Sequence, residues 1–452
     1  MGYRPLSGKY SDHQTFHDLL MPLDITLDYR WSPIHDIMVL SPFAQQVRNL
    51  VMDDACEDDI RNLCETIPGP FPLLHALTIE ETGTLFTSFR IPPLFQGALN
   101  VQKFVLHTDH ASSLFHFAFP NLTILDFRTR KGFDVVSGSL LLDFLEASPL
   151  LQKVNMVIPG NISCASIHPD KVAVLPCVKY FSLTFLRNWF RWGFTTHLSC
   201  PSAEHTMFRA RAHYNIPEDI SEDIYPPSQV WSAITQQYAR DIFDEVELRL
   251  KTDQEFVSSF VFRSSNKDTL GFHYNSSFGS ACGSKSISGK IIGYTVFSRA
   301  SRILRDHPQV GNVRRLYIQG GDFLVGDLES AANDIGKPLG SLGFLERLCL
   351  DKRDPRPFLD PFLKTPLFPE AIQSTSFPSI KELTIISPIR SLSNNKTHAA
   401  ALIKLAKSQS ARGVPFEHMT LRPPVPSRVV ERLMLSVHTV VCGEVLPDGG
   451  RD

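Results

Sequence analysis

One short pattern recurs along most of this chain, and it constrains the fold more than any other feature. It consists of an apolar residue, two variable residues, a second apolar residue, one variable residue and a third apolar residue; we call it the strand phrase. A weaker copy is Val47-Leu50-Met52, and residues 22–29 (PLDITLDY) are a still earlier candidate. The clearest copies are Leu74-Leu77-Ile79, Val101-Phe104-Leu106, Leu122-Leu125-Phe127, Leu151-Val154-Met156, Val178-Phe181-Leu183, Val313-Leu316-Ile318, Leu345-Leu348-Leu350, Ile380-Leu383-Ile385 and Phe416-Met419-Leu421.

The spacing of the phrases indicates a structural repeat. First positions fall at 47, 74, 101, 122, 151 and 178, so the intervals are 27, 27, 21, 29 and 27 residues. Later first positions fall at 313, 345, 380 and 416, with intervals of 32, 35 and 36 residues. Repeats of roughly 20–29 residues are typical of leucine-rich repeats. Alternate apolar residues within each phrase predict a short strand with one buried side.

Proline and helical periodicity complete the repeat unit. Proline cannot donate to a strand ladder, so it belongs just before a strand. Prolines that precede a phrase by one to five residues are Pro72, Pro120, Pro149, Pro176, Pro308, Pro378 and Pro415. Amphipathic segments with helical period lie at 139–147, 228–241, 298–306, 397–409 and 427–441. Strand, turn and helix in one direction predict an α/β fold: a curved, leucine-rich-repeat-like solenoid with a parallel sheet on its concave face and helices on its convex face.

The same patterns predict the domain organisation. Residues 1–21 form an N-terminal segment, residues 22–441 an irregular repeat solenoid, and residues 442–452 a C-terminal tail. Near 244–297 apolar and polar residues alternate around Ser and Gly, which predicts an irregular β-rich section. Residues 211–227 are expected to form a loop, and the helix at 427–441 to cap the array.

Several phrases resemble the repeat half of a known family. FPLLHALTI, FAFPNLTILDF, LEASPLLQKVNM, LPCVKYFSLTF and SFPSIKELTII are similar to the leucine-rich repeats of fungal, basidiomycete-type F-box proteins, and PLDITLDYR is similar to the strand that opens those repeats. The resemblance covers roughly residues 20–425. It implies that the repeats bind a protein substrate, while an N-terminal F-box recruits a cullin-RING ubiquitin ligase.

The F-box itself has no counterpart in this sequence. An F-box opens with Leu-Pro and ends in a Trp-bearing segment, whereas residues 1–21 are too short and Trp31 follows the first predicted strand. We therefore expect binding to a cullin-ligase adaptor only if an F-box lies upstream of Met1. The alternative is a degenerate structural repeat or scaffold protein with no link to ubiquitin ligases.

Charge and cysteine usage narrow the class of protein. With 45 Lys and Arg against 47 Asp and Glu, the net charge is -2, and nucleic-acid binding needs a surplus of cations. No apolar stretch approaches 18 residues, so we expect no membrane segment. The eight cysteines include no CxxC pair, which favours reduced thiols in the cytoplasm or nucleus.

Three patterns suggest enzymatic or metal chemistry only weakly. The segment 278–292 (FGSACGSKSISGKII) has one residue too many between its glycines for a phosphate-binding loop, and Ile291 replaces the required hydroxyl. The histidine-rich group His107, Asp109, His110 and His116 follows a predicted strand, where polar turn residues are routine. The acid pairs Asp53-Asp54 and Asp58-Asp59 lie at a turn and at a helix start, where acids favour the helix dipole. We expect a non-enzymatic protein without cofactor or metal.

An aromatic run is a second candidate binding feature. Phe185, Trp189, Phe190, Trp192 and Phe194 alternate with Arg187 and Arg191, a composition found in protein-binding hot spots. Rings that fill the space between sheet and helices would show the same pattern, and we favour that interpretation.

The leading candidate site is the exposed side of the predicted strands. Solenoids use this concave face for extended protein contacts. Basic residues dominate it, which would suit an acidic or phosphorylated peptide, although most exposed Lys and Arg side chains only interact with water. The candidate partner-binding residues are Lys103, Lys153, Tyr180, Arg315, Tyr317, Arg347 and His418, and Glu382 lies among them.

Overall fold

The computed structural model divides into two compact units, which we describe separately. The first unit comprises residues 1–131 and 143–152, and the second comprises residues 132–142 and 153–452. The described residues are 22–31, 41–67, 71–81, 98–130, 135–158, 161–185, 192–213, 245–251, 255–263, 269–277, 313–319, 344–351, 380–386, 396–422, 424–443 and 445–446.

The first unit contains a parallel sheet whose strands pair in chain order. Its strands are β1 (Leu23–Asp28), β2 (Val47–Ala55), β3 (Ala76–Glu81), β4 (Lys103–Thr108) and β5 (Ile124–Thr129). Each strand is hydrogen-bonded to the next in parallel register. Helix α1 (Glu57–Thr66) follows β2, and 3-10 helices cover Tyr29–Trp31, Ser41–Gln46 and Ala111–His116. The opening segment PLDITLDY is thus a strand, as predicted.

The second unit contains a longer and mostly parallel sheet. Its strands are β6 (Val135–Ser137), β7 (Lys153–Ile158), β8 (Asn161–Ser163), β9 (Ala173–Val174), β10 (Tyr180–Phe185), β11 (Leu198–Ser199), β12 (His205–His213), β13 (Glu245–Lys251), β14 (Glu255–Arg263), β15 (Thr269–Ser277), β16 (Arg315–Gln319), β17 (Arg347–Asp351), β18 (Glu382–Ile385), β19 (Phe416–Leu421), β20 (Val425–Pro426), β21 (Val437–Cys442) and β22 (Val445–Leu446). The main sheet has the order β7-β10-β12-β15-β14-β13-β16-β17-β18-β19-β21. The remaining strands form the short pairs β6-β8, β9-β11 and β20-β22.

Helices are few in the described part of the chain. Besides α1 they are α2 (Gly138–Glu146), α3 (Lys396–Ala411) and α4 (Ser427–Met434), with a 3-10 helix at Trp192–His197. The helices predicted at 139–147 and 397–409 are confirmed as α2 and α3. Those predicted at 228–241 and 298–306 lie outside the described residues. The fold is therefore mixed α/β, dominated by parallel strands.

The strand phrase forms the core of both units. All thirty apolar residues of the ten phrases, from Val47-Leu50-Met52 to Phe416-Met419-Leu421, are at most 2% exposed. In each phrase the last two apolar residues alternate along a strand. The first precedes the strand in eight phrases and is the first residue of the strand at Val47 and Phe416. Burial of this one side stabilises each strand against its neighbours, since every fully buried Leu, Val or Phe contributes roughly 1.5–3 kcal/mol.

Prolines occupy one defined place in the turns before the strands. The N–H of the first phrase residue donates to the carbonyl three residues earlier at 3.1–3.4 Å in the turns that end at Leu74, Leu122, Leu151 and Val178. Pro72, Pro120, Pro149 and Pro176 each hold the second position of these turns. Proline favours that position because its φ is already fixed near the required value. These four prolines therefore terminate the preceding segment and set the entry to the strand.

The section predicted to be irregular and β-rich is confirmed where it is described. Strand β14 is antiparallel to both β13 and β15, whereas β13 and β15 pair in parallel with their outer neighbours β16 and β12. Within the expected loop at 211–227, residues 211–213 belong to β12, and the rest lies outside the described residues.

The C-terminal prediction was wrong in its second half. The helix expected at 427–441 ends at Met434, and Val437–Cys442 forms strand β21, which pairs in parallel with β19. The run Val437-His-Thr-Val-Val is rich in β-branched residues, which lose less side-chain freedom in a strand than in a helix. The expected tail at 442–452 also contributes strand β22, which pairs with β20.

Candidate functional site

The candidate residues of the second unit lie in register on one side of its sheet. We call this side, opposite the buried phrase residues, the strand face. Lys153 pairs with Tyr180, and Tyr180 pairs with His205 on the next strand. We call a line of residues paired across neighbouring strands a row. A second stretch of the same row comprises five residues paired in this way: Glu245, Arg315, Arg347, Glu382 and His418. Tyr317 lies two residues beyond Arg315 and therefore on the same face. The structure thus brings six predicted residues onto one face.

Lys103 holds the equivalent position in the first unit. It pairs with Ala76 of β3 and Ile124 of β5, and its side chain is exposed. Its immediate row neighbours are therefore uncharged and apolar.

An aromatic stack marks one place on the strand face. The rings of Tyr180 and His205 lie parallel, with centroids 4.7 Å apart and an angle of 9° between planes. The Lys153 ammonium lies 5.4 Å from the Tyr180 ring centroid, within cation–π range. We call Lys153, Tyr180, His205 and the exposed Arg209 on the same strand as His205 the anchor cluster. Flat rings beside cations are a composition typical of protein-binding hot spots.

The sequence analysis did not identify His205, because the strand phrase that contains it has a polar residue at its central position. The residues Ala203, Thr206 and Phe208 have phrase spacing and begin 25 residues after Val178. Thr206 is 1% exposed although its hydroxyl has no hydrogen-bond partner among the described residues. A polar residue at the central apolar position hid this repeat. The interval alone is the signal that would have located it.

The electrostatic environment of His205 favours its neutral form. Burial lowers the pKa of His205 below its usual value, and the nearby Arg209 lowers it further. The backbone pairing places Thr269, which carries no charge, on its other side. The neighbouring Glu204 lies 3.8 Å from Lys179.

Ion pairs neutralise the other stretch of the row. The guanidinium of Arg347 lies 2.9 Å from the Glu382 carboxylate, and that of Arg315 lies 3.7 Å from Glu245. The Tyr317 hydroxyl lies 3.5 Å from an Asp351 carboxylate oxygen. The basic stripe expected from the sequence is therefore compensated by acids here.

The strand face of the first unit has a different charge. Its rows carry Asp24, Asp28, Asp53, Glu80 and Asp126 against Lys103 and Arg128. Arg128 lies 3.0 Å from Asp126. Arg30, from the 3-10 helix after β1, contacts Asp28 at 2.9 Å, Asp53 at 3.4 Å and Asp54 at 3.0 Å. The acid pair Asp53-Asp54 is thus part of an ion-pair network.

The structure gives structural roles to two other groups. The Asp59 carboxylate accepts a hydrogen bond from the Cys56 backbone N–H at 2.8 Å, where α1 begins, as expected for acids at a helix start. His107 lies 3.3 Å from Glu80 across the strands. Among the described residues, no three His, Cys, Asp or Glu side chains are grouped as metal ligands.

Two further sequence candidates lie wholly or largely outside the described residues. The glycine-rich segment 278–292 lies outside the described residues. Of the aromatic run, the structure describes the side chain of Phe194, which is fully buried. That burial agrees with a packing role for this ring.

The sequence matches no protein-family model, and no curated protein is significantly similar to it. None of the helices in the described part is long and apolar enough to cross a membrane.

Proposed function

We propose that this chain is a non-catalytic protein-interaction module that binds its partner on the strand face of the second unit. The anchor cluster carries the proposal. It presents two parallel rings and two cations on the side of the sheet opposite the core, where Lys153 and Arg209 are exposed to solvent. The resemblance to the substrate-binding repeats of F-box proteins supports the same function.

The proposal includes a curved, leucine-rich-repeat-like solenoid as the architecture. Its support is the regular phrase, the parallel in-register pairing within each unit and the repeated proline turn. Six cysteines in the described part of the chain carry free thiols, which supports a cytoplasmic or nuclear location.

The primary test replaces Tyr180 by Ala and compares the proteins captured by tagged chain in cells. We expect the Tyr180→Ala variant to lose specific partners, because truncation of an aromatic hot-spot residue typically weakens the binding free energy by more than about 1 kcal/mol. Val174→Ala is the matched control, since Val174 is 53% exposed and lies in the short strand β9, outside the main sheet. Identical capture by Tyr180→Ala, Val174→Ala and the unchanged chain would contradict the proposed function.

A separate test concerns the ubiquitin-ligase link. Co-purification of the cullin adaptor with this chain, or with a longer gene product that carries an F-box upstream, supports an adaptor function. Its absence from both, together with Tyr180-dependent capture of other proteins, favours the alternative of a scaffold without ligase function.

A further inference from the structure

Within the described part of the chain, the anchor cluster differs from the rest of its row in having cations without an acidic partner. Neither Lys153 nor Arg209 forms an ion pair within the described part of the chain, whereas Arg315 and Arg347 each face a glutamate. Glu204 is the nearest acid in sequence to His205, and it interacts with Lys179. Among the described residues, the anchor cluster is therefore a local excess of positive charge, whereas Arg315 and Arg347 farther along the row are balanced by glutamates.

The same place holds a buried hydroxyl without a hydrogen-bond partner among the described residues. Ser182, two residues from Tyr180 and on the same face of β10, is fully buried, and its hydroxyl has no partner among the described residues. Burial and Arg209 lower the pKa of His205. A neighbouring carboxylate would reverse this effect, because an opposite charge within about 4–6 Å favours the protonated imidazole.

We infer that the anchor cluster binds an extended acidic segment of the partner protein, with partner carboxylates beside Lys153, His205 and Arg209. This inference rests on the proposed function and specifies the chemistry of the partner. Neighbouring strands are about 4.8 Å apart, so Lys153 and His205 are separated by roughly 10 Å across the sheet. Arg209 lies four residues along β12 from His205, roughly 13 Å, which matches two carboxylates four residues apart in an extended peptide. The Lys153 ammonium lies over the adjacent Tyr180 ring, within reach of the same segment.

The direction of the pH dependence follows from the position of His205. In the free chain its pKa lies below the usual value. A bound carboxylate raises the pKa, so binding takes up a proton between the two pKa values and tightens as the pH falls through them. Among the described residues, the charged groups near His205 are Lys153 across Tyr180, Arg209 on its own strand, and the pair formed by Lys179 and Glu204.

The test uses the full chain and a fluorescent nonapeptide that alternates Glu and Ala, with fluorescence anisotropy as the readout. A peptide with Gln in place of Glu is the comparison. We expect the Glu peptide to bind more tightly than the Gln peptide, and more tightly near pH 6 than near pH 8. Lys153→Gln combined with Arg209→Gln should weaken binding by about fivefold, in line with exposed charge pairs.

Matched variants distinguish an effect of the anchor cluster on peptide affinity from a general effect of net charge. Lys381 is also an exposed lysine of the second unit, but it lies 3.8 Å from Glu417. Lys381→Gln changes net charge as Lys153→Gln does, and should leave peptide affinity nearly unchanged. His205→Asn should remove the pH dependence, whereas His418→Asn, farther along the row, should keep it. Circular dichroism and thermal unfolding confirm that each variant folds.

Several results would overturn the inference while the proposed function stands. They are equal affinity for the Glu and Gln peptides, equal loss from Lys153→Gln and Lys381→Gln, or unchanged pH dependence in His205→Asn, each alongside Tyr180-dependent partner capture. Binding of inorganic phosphate or anionic vesicles without the Glu peptide also overturns it, because the ligand class is then different. Tyr180-independent capture instead contradicts the proposed function itself.

Discussion

At the scale of single residues, Thr206 is the clearest departure from the repeat. It holds the central apolar position of its phrase, and its buried hydroxyl lacks a partner in the described part of the chain. We expect Thr206→Val to raise the free energy of unfolding by about 1 kcal/mol, because a buried unsatisfied polar group costs about 1–3 kcal/mol. Urea denaturation measures this change.

The control for Thr206 is a threonine on the other side of a neighbouring strand. Thr184 of β10 is half-buried on the strand face, and we expect Thr184→Val to change stability by less than about 0.5 kcal/mol. Equal effects of the two substitutions would show that the buried hydroxyl is not the cause.

A second prediction at this scale concerns Cys349 of β17, whose register partner is Tyr317. Burial, aided by Asp351, raises the pKa of the Cys349 thiol to about 12. The reactive thiolate is then scarce near pH 8, so iodoacetamide should label Cys349 at least about a hundredfold more slowly than an exposed cysteine in a peptide. Peptide mapping by mass spectrometry gives the rate, and equal rates would contradict the prediction.

At the scale of elements, the end of α3 depends on one glycine. Gly413 has a φ of 77°, and the Val414 and Gly413 N–H groups donate to the carbonyls of Gln409 and Ser410 at 3.2 and 3.0 Å. This pairing is the Schellman motif, in which a left-handed residue closes the helix. Such a residue favours glycine because a Cβ atom raises its conformational energy.

Substitution of Gly413 therefore tests the helix end without disturbing the core. Apart from its chain neighbours, no atom of the described residues lies within 4 Å of a Cβ added there, so we expect a conformational cost without a steric clash. We expect Gly413→Ala to lower the unfolding free energy by about 1 kcal/mol, and Gly413→Asn to lower it less, because asparagine tolerates this conformation better. Thermal unfolding measures both variants, and a lower melting temperature for Gly413→Asn than for Gly413→Ala would contradict this explanation.

Elements differed in how far local sequence predicted them. Local sequence predicted the phrases, the four proline turns and helices α2 and α3. The signals are the alternation of apolar residues in strands, the missing N–H of proline and the helical spacing of apolar residues, and each acts within a few residues. Local sequence did not predict strand β21. Val429, Val430 and Leu433 form a buried helical stripe, and the β-branched run that begins at Val437 follows so closely that the sequence shows no boundary between helix and strand. Pairing with β19 decides the boundary between them, and that contact is remote in sequence.

At the scale of the whole molecule, the solenoid proposal predicts an extended particle. A compact globule of this length would have a radius of gyration of about 22 Å. We expect small-angle scattering to give a value above about 25 Å, because each repeat unit of a solenoid contacts only its neighbours. A value close to that of the globule would contradict the solenoid while leaving the observed sheets unaffected.

The sequence by itself determined the buried side of the strands, their turns and the set of residues that face away from the core. These follow from the period of apolar residues and from proline chemistry, which are local. Only the tertiary structure decided which exposed charges are neutralised, since Arg347 meets Glu382 through register between residues that are 35 apart. It likewise placed His205 against Tyr180, because their distance depends on strand pairing and not on spacing along the chain.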